Sequence, residues 1–389
     1  TENGLGLNLY VDGRFGSFST NRLDKKELET LITNGIESTR YLAVDESRML
    51  ADPARYYKGG KPDLQLFDKK LYEVNPDDKV AIARAAAEEV LGKDERIISV
   101  DSSYSDGEGS SYRLISNGFE GESKSTWFSV SASVSIKGEG EARPQDYWYD
   151  SALFYDKLTK TGIGAKALER VLRKLGQKKA KSGKYTMVVD PMNVGNLLSP
   201  MLSALYGSAL QQKNSFLMDK LDTKVASDLF TLRDEPHAIG ANGSRYFDNE
   251  GVATEPRTVF DKGVLKTYFI DTYNGKKMDI APTISAPSRL ILTPGDKDLN
   301  GLVADIKQGI LVTGFNGGNS NSSTGDFSYG IEGFLIEDGK LTQPVNEMNV
   351  TGNMVTLWNS LVAVGNDPQP NRSWQIPSLV FEGVDFSGL

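Results

Sequence analysis

The 389-residue chain contains one histidine and no cysteine, which removes most of the side chains that build zinc sites and every thiol nucleophile. Its formal charge of −8 argues against nucleic-acid binding, where affinity comes from clustered Lys and Arg. No stretch of about 18 apolar residues is present to span a membrane, and the lack of cysteine fits the reducing cytoplasm, the compartment expected here.

Leu5, Leu7, Leu9 and Val11 alternate with small or polar residues and run into Asp12-Gly13, the pattern of a half-buried strand entering a hairpin. A helix is predicted from an Asp24 N-cap to Ala43, with Leu28, Leu31, Ile32 and Ile36 at helical spacing. A second starts near Asp77-Asp78 and carries Val80, Ile82, Ala86, Val90 and Leu91 to Gly92. Phe128, Val130, Ala132, Val134 and Ile136 then alternate with serines, which calls for an antiparallel sheet with one solvated side. Gly162-Ile163-Gly164 lacks the third glycine and the βαβ setting of a dinucleotide fingerprint, and it opens a predicted helix over Ile163 to Leu175. The polar segment Gly176 to Lys184 reads as a linker. The basic residues Arg170, Arg173, Lys174, Lys178, Lys179, Lys181 and Lys184 read as a solvated helix end and loop.

Beyond Tyr185 the texture changes to strands joined by Asp248-Asn249-Glu250-Gly251, Asp261-Lys262-Gly263, Asn274-Gly275 and Asp338-Gly339 turns. Hairpins are expected from Arg257 to Phe260 with Val264 to Ile270, and from Gly333 to Glu337 with Lys340 to Pro344. Gly317 to Ser323 reads as a mobile loop. One helix interrupts the strands: Leu197, Leu198, Met201, Leu202, Leu205, Tyr206, Ala209 and Leu210 form an apolar stripe that predicts a buried helix from Leu197 to Gln212. The fold class is therefore α+β, with an N-terminal antiparallel sheet and helices over 1–180 and a larger β-rich domain, barrel-like or two-sheeted, over 185–389 around that helix.

Few side chains offer chemistry. Asp234-Glu235 ahead of His237 predicts a raised imidazole pKa, but one imidazole with no placed partner assigns no function. Asp248, Glu250 and Asp326 would make an oxygen site for Mg²⁺ or Ca²⁺ if the fold gathered them. Turn chemistry explains Asp248 and Glu250 more simply, and Asp326 reads as a brace for the sheet after Gly325.

Phe247-Asp248-Asn249-Glu250-Gly251-Val252-Ala253-Thr254, the hairpin after it, Thr324-Gly325-Asp326-Phe327-Ser328 and Val364-Gly365-Asn366-Asp367 resemble, in residues and order, the PmbA/TldD family, once named modulators of DNA gyrase. In its TldD branch, H-E-x-x-x-H on a helix and a late Cys are expected to bind zinc, with the Glu taking a proton from bound water. Laid through Leu197-Leu198 without gaps, that motif falls on Ser199, Pro200 and Ala204. The resemblance is thus to the PmbA, or TldE, branch. It implies no catalytic residue, metal or cofactor in this chain, a zinc-bearing TldD-like partner in a heterodimer, unfolded peptides as substrate, and a homodimer when the chain is alone. Asp248, Glu250, Gly325, Asp326 and Ser328 are the candidate cleft residues. The resemblance also implies a further strand and helix ahead of Thr1, and a trimmed, Pro-rich loop from Met278 to Ser288. The alternatives are an independent hydrolase using carboxylates or a hard metal, and a non-enzymatic peptide-binding protein.

Overall fold

A computed structural model describes residues 2–389. Strands β1 (Leu5–Val11) and β2 (Arg14–Thr20) pair across Asp12-Gly13, whose φ angles of 48° and 73° suit the right-handed twist of a two-residue hairpin. Helix α1 (Lys25–Arg40) starts where expected, because the Asp24 carboxylate accepts the Glu27 N–H at 3.1 Å.

Helix α2 (Pro76–Glu88) is followed by β3 (Ile97–Ile115), β4 (Phe119–Ile136) and β5 (Gln145–Ala152), an antiparallel sheet in the order β3-β4-β5. The apolar face of β4, Phe128 to Ile136, is completely covered by α2 and by α3 (Ile163–Leu172). Each of its large side chains stabilises the fold by about 1.5–3 kcal/mol through burial. The serines lie on the other face, and Ser103 and Ser131 share a hydrogen bond at 2.9 Å. The Gly162-Ile163-Gly164 segment has a packing role. A Cβ on Gly164 would stand 1.9 Å from the Ala86 carbonyl, so α2 and α3 touch backbone to backbone. Glu89 accepts the Gly162, Gly164 and Ala165 N–H groups at 2.7, 2.8 and 3.2 Å and caps α3.

The rest of the chain supplies β6 (Gly183–Val189), α4 (Gly195–Ser203), α5 (Gly207–Gln211), β7 (Leu232–Asp234), β8 (Arg257–Asp261), β9 (Val264–Leu265), α6 (Thr272–Met278), β10 (Leu290–Leu292) and α7 (Leu299–Ala304). It closes with β11 (Gln308–Ser320), β12 (Asp326–Glu337), β13 (Lys340–Asn353), α8 (Met354–Asn359), β14 (Leu361–Val364), β15 (Trp374–Gln375) and β16 (Leu379–Ser387). Strands β13-β12-β11-β6-β16 close into a five-stranded barrel through Asn349↔Ser387, Val350↔Phe386 and Thr351↔Asp385. A second sheet runs β15-β10-β7-β8-β9. The main core passes from the barrel through α4 and α8 to that sheet, and a smaller cluster lies under α7. The architecture is the α+β class with a barrel-like β-rich part. No helix among the described residues is long and apolar enough to cross a membrane.

Five local expectations are corrected. The stripe from Leu197 to Gln212 is two helices, because Tyr206 is extended (φ −73°, ψ 141°) and the neighbouring backbone bonds sideways: Phe269 N–H to the Leu205 carbonyl at 2.9 Å and Gly207 N–H to the Phe269 carbonyl at 2.7 Å. Asn274-Gly275 sits inside α6, since Asp271 caps that helix by accepting the Asn274 N–H at 2.6 Å. The expected Val264 to Ile270 strand shortens to Val264–Leu265 against β8, with one further bond from the Lys266 N–H to the Val259 carbonyl at 2.8 Å. Gly317 to Ser320 continues β11 against β12, leaving 321–325 as the turn. Finally, part of the basic cluster is buried: Lys174, 8% exposed, lies 3.2 Å from Asp146 and 2.7 Å from Glu332, and Arg170 lies 3.2 Å from Asp146. The three-stranded sheet is thereby tied to β12 through charge.

Candidate functional site

Helix α4 presents Leu197, Leu198, Met201 and Leu202 to the core and leaves Asn196, Ser199 and Ser203 exposed. Ser199 and Ala204, five positions apart, are rotated by about 140° at 3.6 residues per turn. Ser199 faces solvent, while Ala204 is 1% exposed at the helix end, where its carbonyl accepts the Ser215 hydroxyl at 2.6 Å. Pro200 sits inside the helix and has no N–H to donate. One exposed hydroxyl, one proline and one buried methyl do not fit zinc, which takes imidazole, thiolate or carboxylate. Among the described residues no group of three or more His, Asp and Glu could hold a metal ion.

The segment after α5 holds the 321–325 turn: Phe216 N–H donates to the Ser322 carbonyl at 2.9 Å, and the Ser322 hydroxyl donates to Asn214 at 2.8 Å. Gly325 turns at φ +81°, with Phe216 3.1 Å from where a Cβ would stand. Asp326 accepts the Asn353 amide at 3.0 Å and the Thr324 hydroxyl at 2.8 Å, and these bonds, the Asn353 one foremost, hold its carboxyl below the usual range. Ser328 is exposed on β12, paired with Thr351.

Asp248 and Glu250 belong to a different part of the site. Asp248, 2% exposed, accepts the N–H groups of Glu250, Val252 and Ser285 at 2.8, 3.0 and 3.0 Å. Glu250 accepts the Thr272 N–H at 2.9 Å and hydroxyl at 3.0 Å. Burial pushes the Glu250 pKa up; the Thr272 bonds oppose this, and the charges of Asp248 and Asp271 reinforce it. Helix α6, pinned in this way, packs its Asn274 2.9 Å from where a Gly207 Cβ would stand, so Glu250 reaches α5 through α6. Asp326 shares no hydrogen-bond partner with either acid, and the three carboxylates do not form one oxygen site.

His237 departs from expectation: burial lowers its pKa, with Lys61 adding to the effect, and its Nε2 lies 3.0 Å from the Thr254 hydroxyl. Its acidic neighbours are too weak to reverse this. Arg245 was not legible as a site residue. It donates to the Ser288 hydroxyl at 2.9 Å and to the Ala286 and Pro287 carbonyls at 2.7 and 3.1 Å, clamping the Pro-rich loop. Asp234 holds the same loop from the other side by accepting the Ser288 and Arg289 N–H groups at 3.0 and 2.9 Å. The ensemble positions backbone and encloses space; the one hydroxyl beside the imidazole, that of Thr254, is 2% exposed and donates to the Arg245 carbonyl at 2.5 Å.

Residues 182–388 match the model of the PmbA/TldA metallopeptidase C-terminal domain, and residues 69–175 match that of the central domain. The chain belongs to the PmbA/TldD metallopeptidase family. It is 28% identical over 392 residues to a Haemophilus influenzae protein named metalloprotease PmbA homolog, covering 99% of this chain and 85% of the relative. A Bacteroides thetaiotaomicron crystal structure described as a modulator of DNA gyrase has 73% identity and a TM-score of 0.99, covering 100% of this chain and 89% of that one. TldE from Thermococcus kodakarensis, at 21% identity, TM-score 0.82 and coverage of 98% and 89%, shares the fold. Membership in the PmbA/TldD family gives the chain a metallopeptidase-like role at family level.

Proposed function

We propose that this chain is the PmbA/TldE-type, non-catalytic half of a two-chain zinc peptidase that admits unfolded peptides, with zinc supplied by a TldD-like partner. One observation carries the reading: the positions aligned with the zinc motif are an exposed Ser199, a helix-interior Pro200 and a buried Ala204, in a chain without cysteine. The chain contributes channel wall and interface, and it pairs with itself when the partner is absent. A strand edge facing the channel would hold an extended peptide through main-chain hydrogen bonds and so tolerate many sequences.

An independent carboxylate hydrolase is less well supported. Backbone amides occupy both oxygens of Asp248, and Thr272 binds one oxygen of Glu250 through its N–H and hydroxyl, so both carboxylates are engaged in positioning backbone. The test is cleavage of an unstructured peptide by this chain, by a TldD-like chain, and by their mixture, with and without a zinc chelator. Activity confined to the mixture and lost with chelator is expected. Cleavage by this chain alone would overturn the reading.

A further inference from the structure

Where the β3-β4-β5 sheet meets the second sheet, a cavity of about 480 Å³ opens to solvent. None of α4 lines it. Its polar lining includes Lys157, Arg289 and Arg372 together with Asn242, Asn371 and Gln375, and no carboxylate. In a chain of net charge −8, such a cationic surface is out of keeping with the composition.

Strand geometry aims these groups. Leu290 and Leu292 are buried in the core, so alternation along β10 turns Arg289 to the opposite, outer face. The parallel register Leu290↔Trp374 and Ile291↔Gln375 puts Gln375 on that same outer face. Arg372 lies over the Tyr149 ring at 4.7 Å, and Tyr149 stacks on Tyr147 at 6.0 Å, so an aromatic wall orients the guanidinium. The walls are tied together: Leu290 N–H donates to the Ser373 carbonyl at 3.0 Å, and the Asn242 amide donates to the Asn371 carbonyl at 3.3 Å.

The cationic ends have no direct hydrogen-bonding partner, although the charge of Glu235 favours the Arg289 cation. Among the described residues, no ion pair or hydrogen bond engages the charged side-chain ends of Lys157, Arg289 or Arg372, and the buried Arg289 Nε has no partner; the Asp234 carboxylate and the Gln375 amide meet only the backbones of Arg289 and Arg372. A buried guanidinium N–H without an acceptor is costly. Phe154 and Ile239 add apolar surface beside the charges, and Ile239 is 61% exposed. Two guanidinium groups lining one cavity, flanked by amides and apolar walls, suit a planar carboxylate on an amide-bearing chain.

We propose that this cavity is a peptide-carboxylate site, with Arg289 and Arg372 holding the carboxylate and Asn371 and the Asn242 Oδ1 meeting the adjacent amide. The choice of a peptide rests on the peptide-handling reading above; the pocket's preference for an oxyanion does not. The carboxylate comes from a chain end or from an acidic side chain, and the test separates the two.

The experiment is fluorescence anisotropy of the full chain with a fluorescein-labelled hexapeptide of alanine, leucine and serine bearing a free C-terminal carboxylate. The same peptide as its C-terminal amide and an amidated version with an internal glutamate are compared, with inorganic phosphate as competitor. Arg289→Gln and Arg372→Gln are each expected to weaken binding at least about tenfold, the loss of one charge-assisted pair. Lys157→Gln, on an exposed 3₁₀ turn, provides a third variant that does not depend on buried packing. Binding lost on amidation assigns the chain end, and binding restored by glutamate assigns the side chain. Unchanged affinity in all three variants, no binding of any carboxylate peptide, or binding of phosphate alone would overturn the proposal. Because binding is read on this chain by itself, failure here leaves the two-chain cleavage result untouched, and the reverse also holds.

Discussion

Glu250 accepts both the backbone N–H and the hydroxyl of Thr272, at 2.9 and 3.0 Å, and so fixes the start of α6 from a turn 22 positions earlier in the chain. The carboxylate carries out this structural task in a site that burial makes unfavourable for its charge. Its pKa is raised above 4.5 in the folded state, so its contribution to stability is greatest below the unfolded value and is lost as pH rises through the folded one. Glu250→Gln keeps an acceptor for Thr272 and removes the ionisation. Its thermal midpoint relative to the parent should therefore rise between pH 4 and pH 7. A pH-independent difference would contradict the assignment. Glu250→Ala leaves the Thr272 N–H without its acceptor and should cost about 1–3 kcal/mol.

Gly164 supports a sharper prediction, because the obstacle is backbone. A Cβ there would lie 1.9 Å from the Ala86 carbonyl, so Gly164→Ala must separate α2 from α3. The expected cost is about 2–3 kcal/mol, the upper range for overpacking a tight contact. Gly195→Ala at the start of α4 meets nothing within 4 Å and serves as the comparison; it should be neutral or slightly stabilising. Denaturant unfolding of the two variants tests this directly, and equal midpoints would sink it.

Much of this fold could be read from periodicity. The serine-lined strand, the Asp24 cap and the Asp-Gly hairpins each carry a local signal, because alternation, capping and positive φ depend on a few adjacent residues. The failures share one cause. Tyr206 leaves the helix because Phe269 offers it another partner, Gly318 to Ser320 pairs because Phe327 to Tyr329 lies opposite, and Lys174 is buried because Glu332 reaches it from β12. In each case a residue distant in sequence decides the outcome. The candidate site divides in the same way: the unsuitability of Ser199, Pro200 and Ala204 for zinc was visible in their side chains, whereas the pocket of Arg289 and Arg372 depends on the pairing of β10 with β15.

Lys174 links Asp146 and Glu332 with little access to water. Lys174→Met should destabilise by about 3 kcal/mol, since removing one partner strands buried carboxylates. Arg170 still holds Asp146, which keeps the loss at the low end of the range. Lys184→Met removes an exposed pair with Asp385 and should change stability by less than about 1 kcal/mol. Chemical denaturation at low and high salt separates the two, because only the exposed pair is effectively screened. Equal losses in both variants would mean that the buried network has no special role.

Rebuilding the missing metal motif provides the strictest test of the site. Ser199→His, Pro200→Glu and Ala204→His together restore the three helix side chains, yet no thiolate exists in the chain to complete the set. The geometry is also against it: position 199 faces solvent, whereas position 204 is 1% exposed, so its imidazole would enter the core and not meet its counterpart. Overpacking at position 204 should cost about 1–3 kcal/mol. Outer hydrogen bonds that orient a metal-bound histidine typically contribute about 10–100-fold in affinity, and the three substitutions introduce none. The triple variant should therefore bind zinc weakly by calorimetry, melt below the parent and show no chelator-sensitive peptide cleavage. Robust zinc-dependent cleavage by this chain alone would show that α4 can still present a metal to substrate, and the division of labour proposed between the two chains would then have to be abandoned.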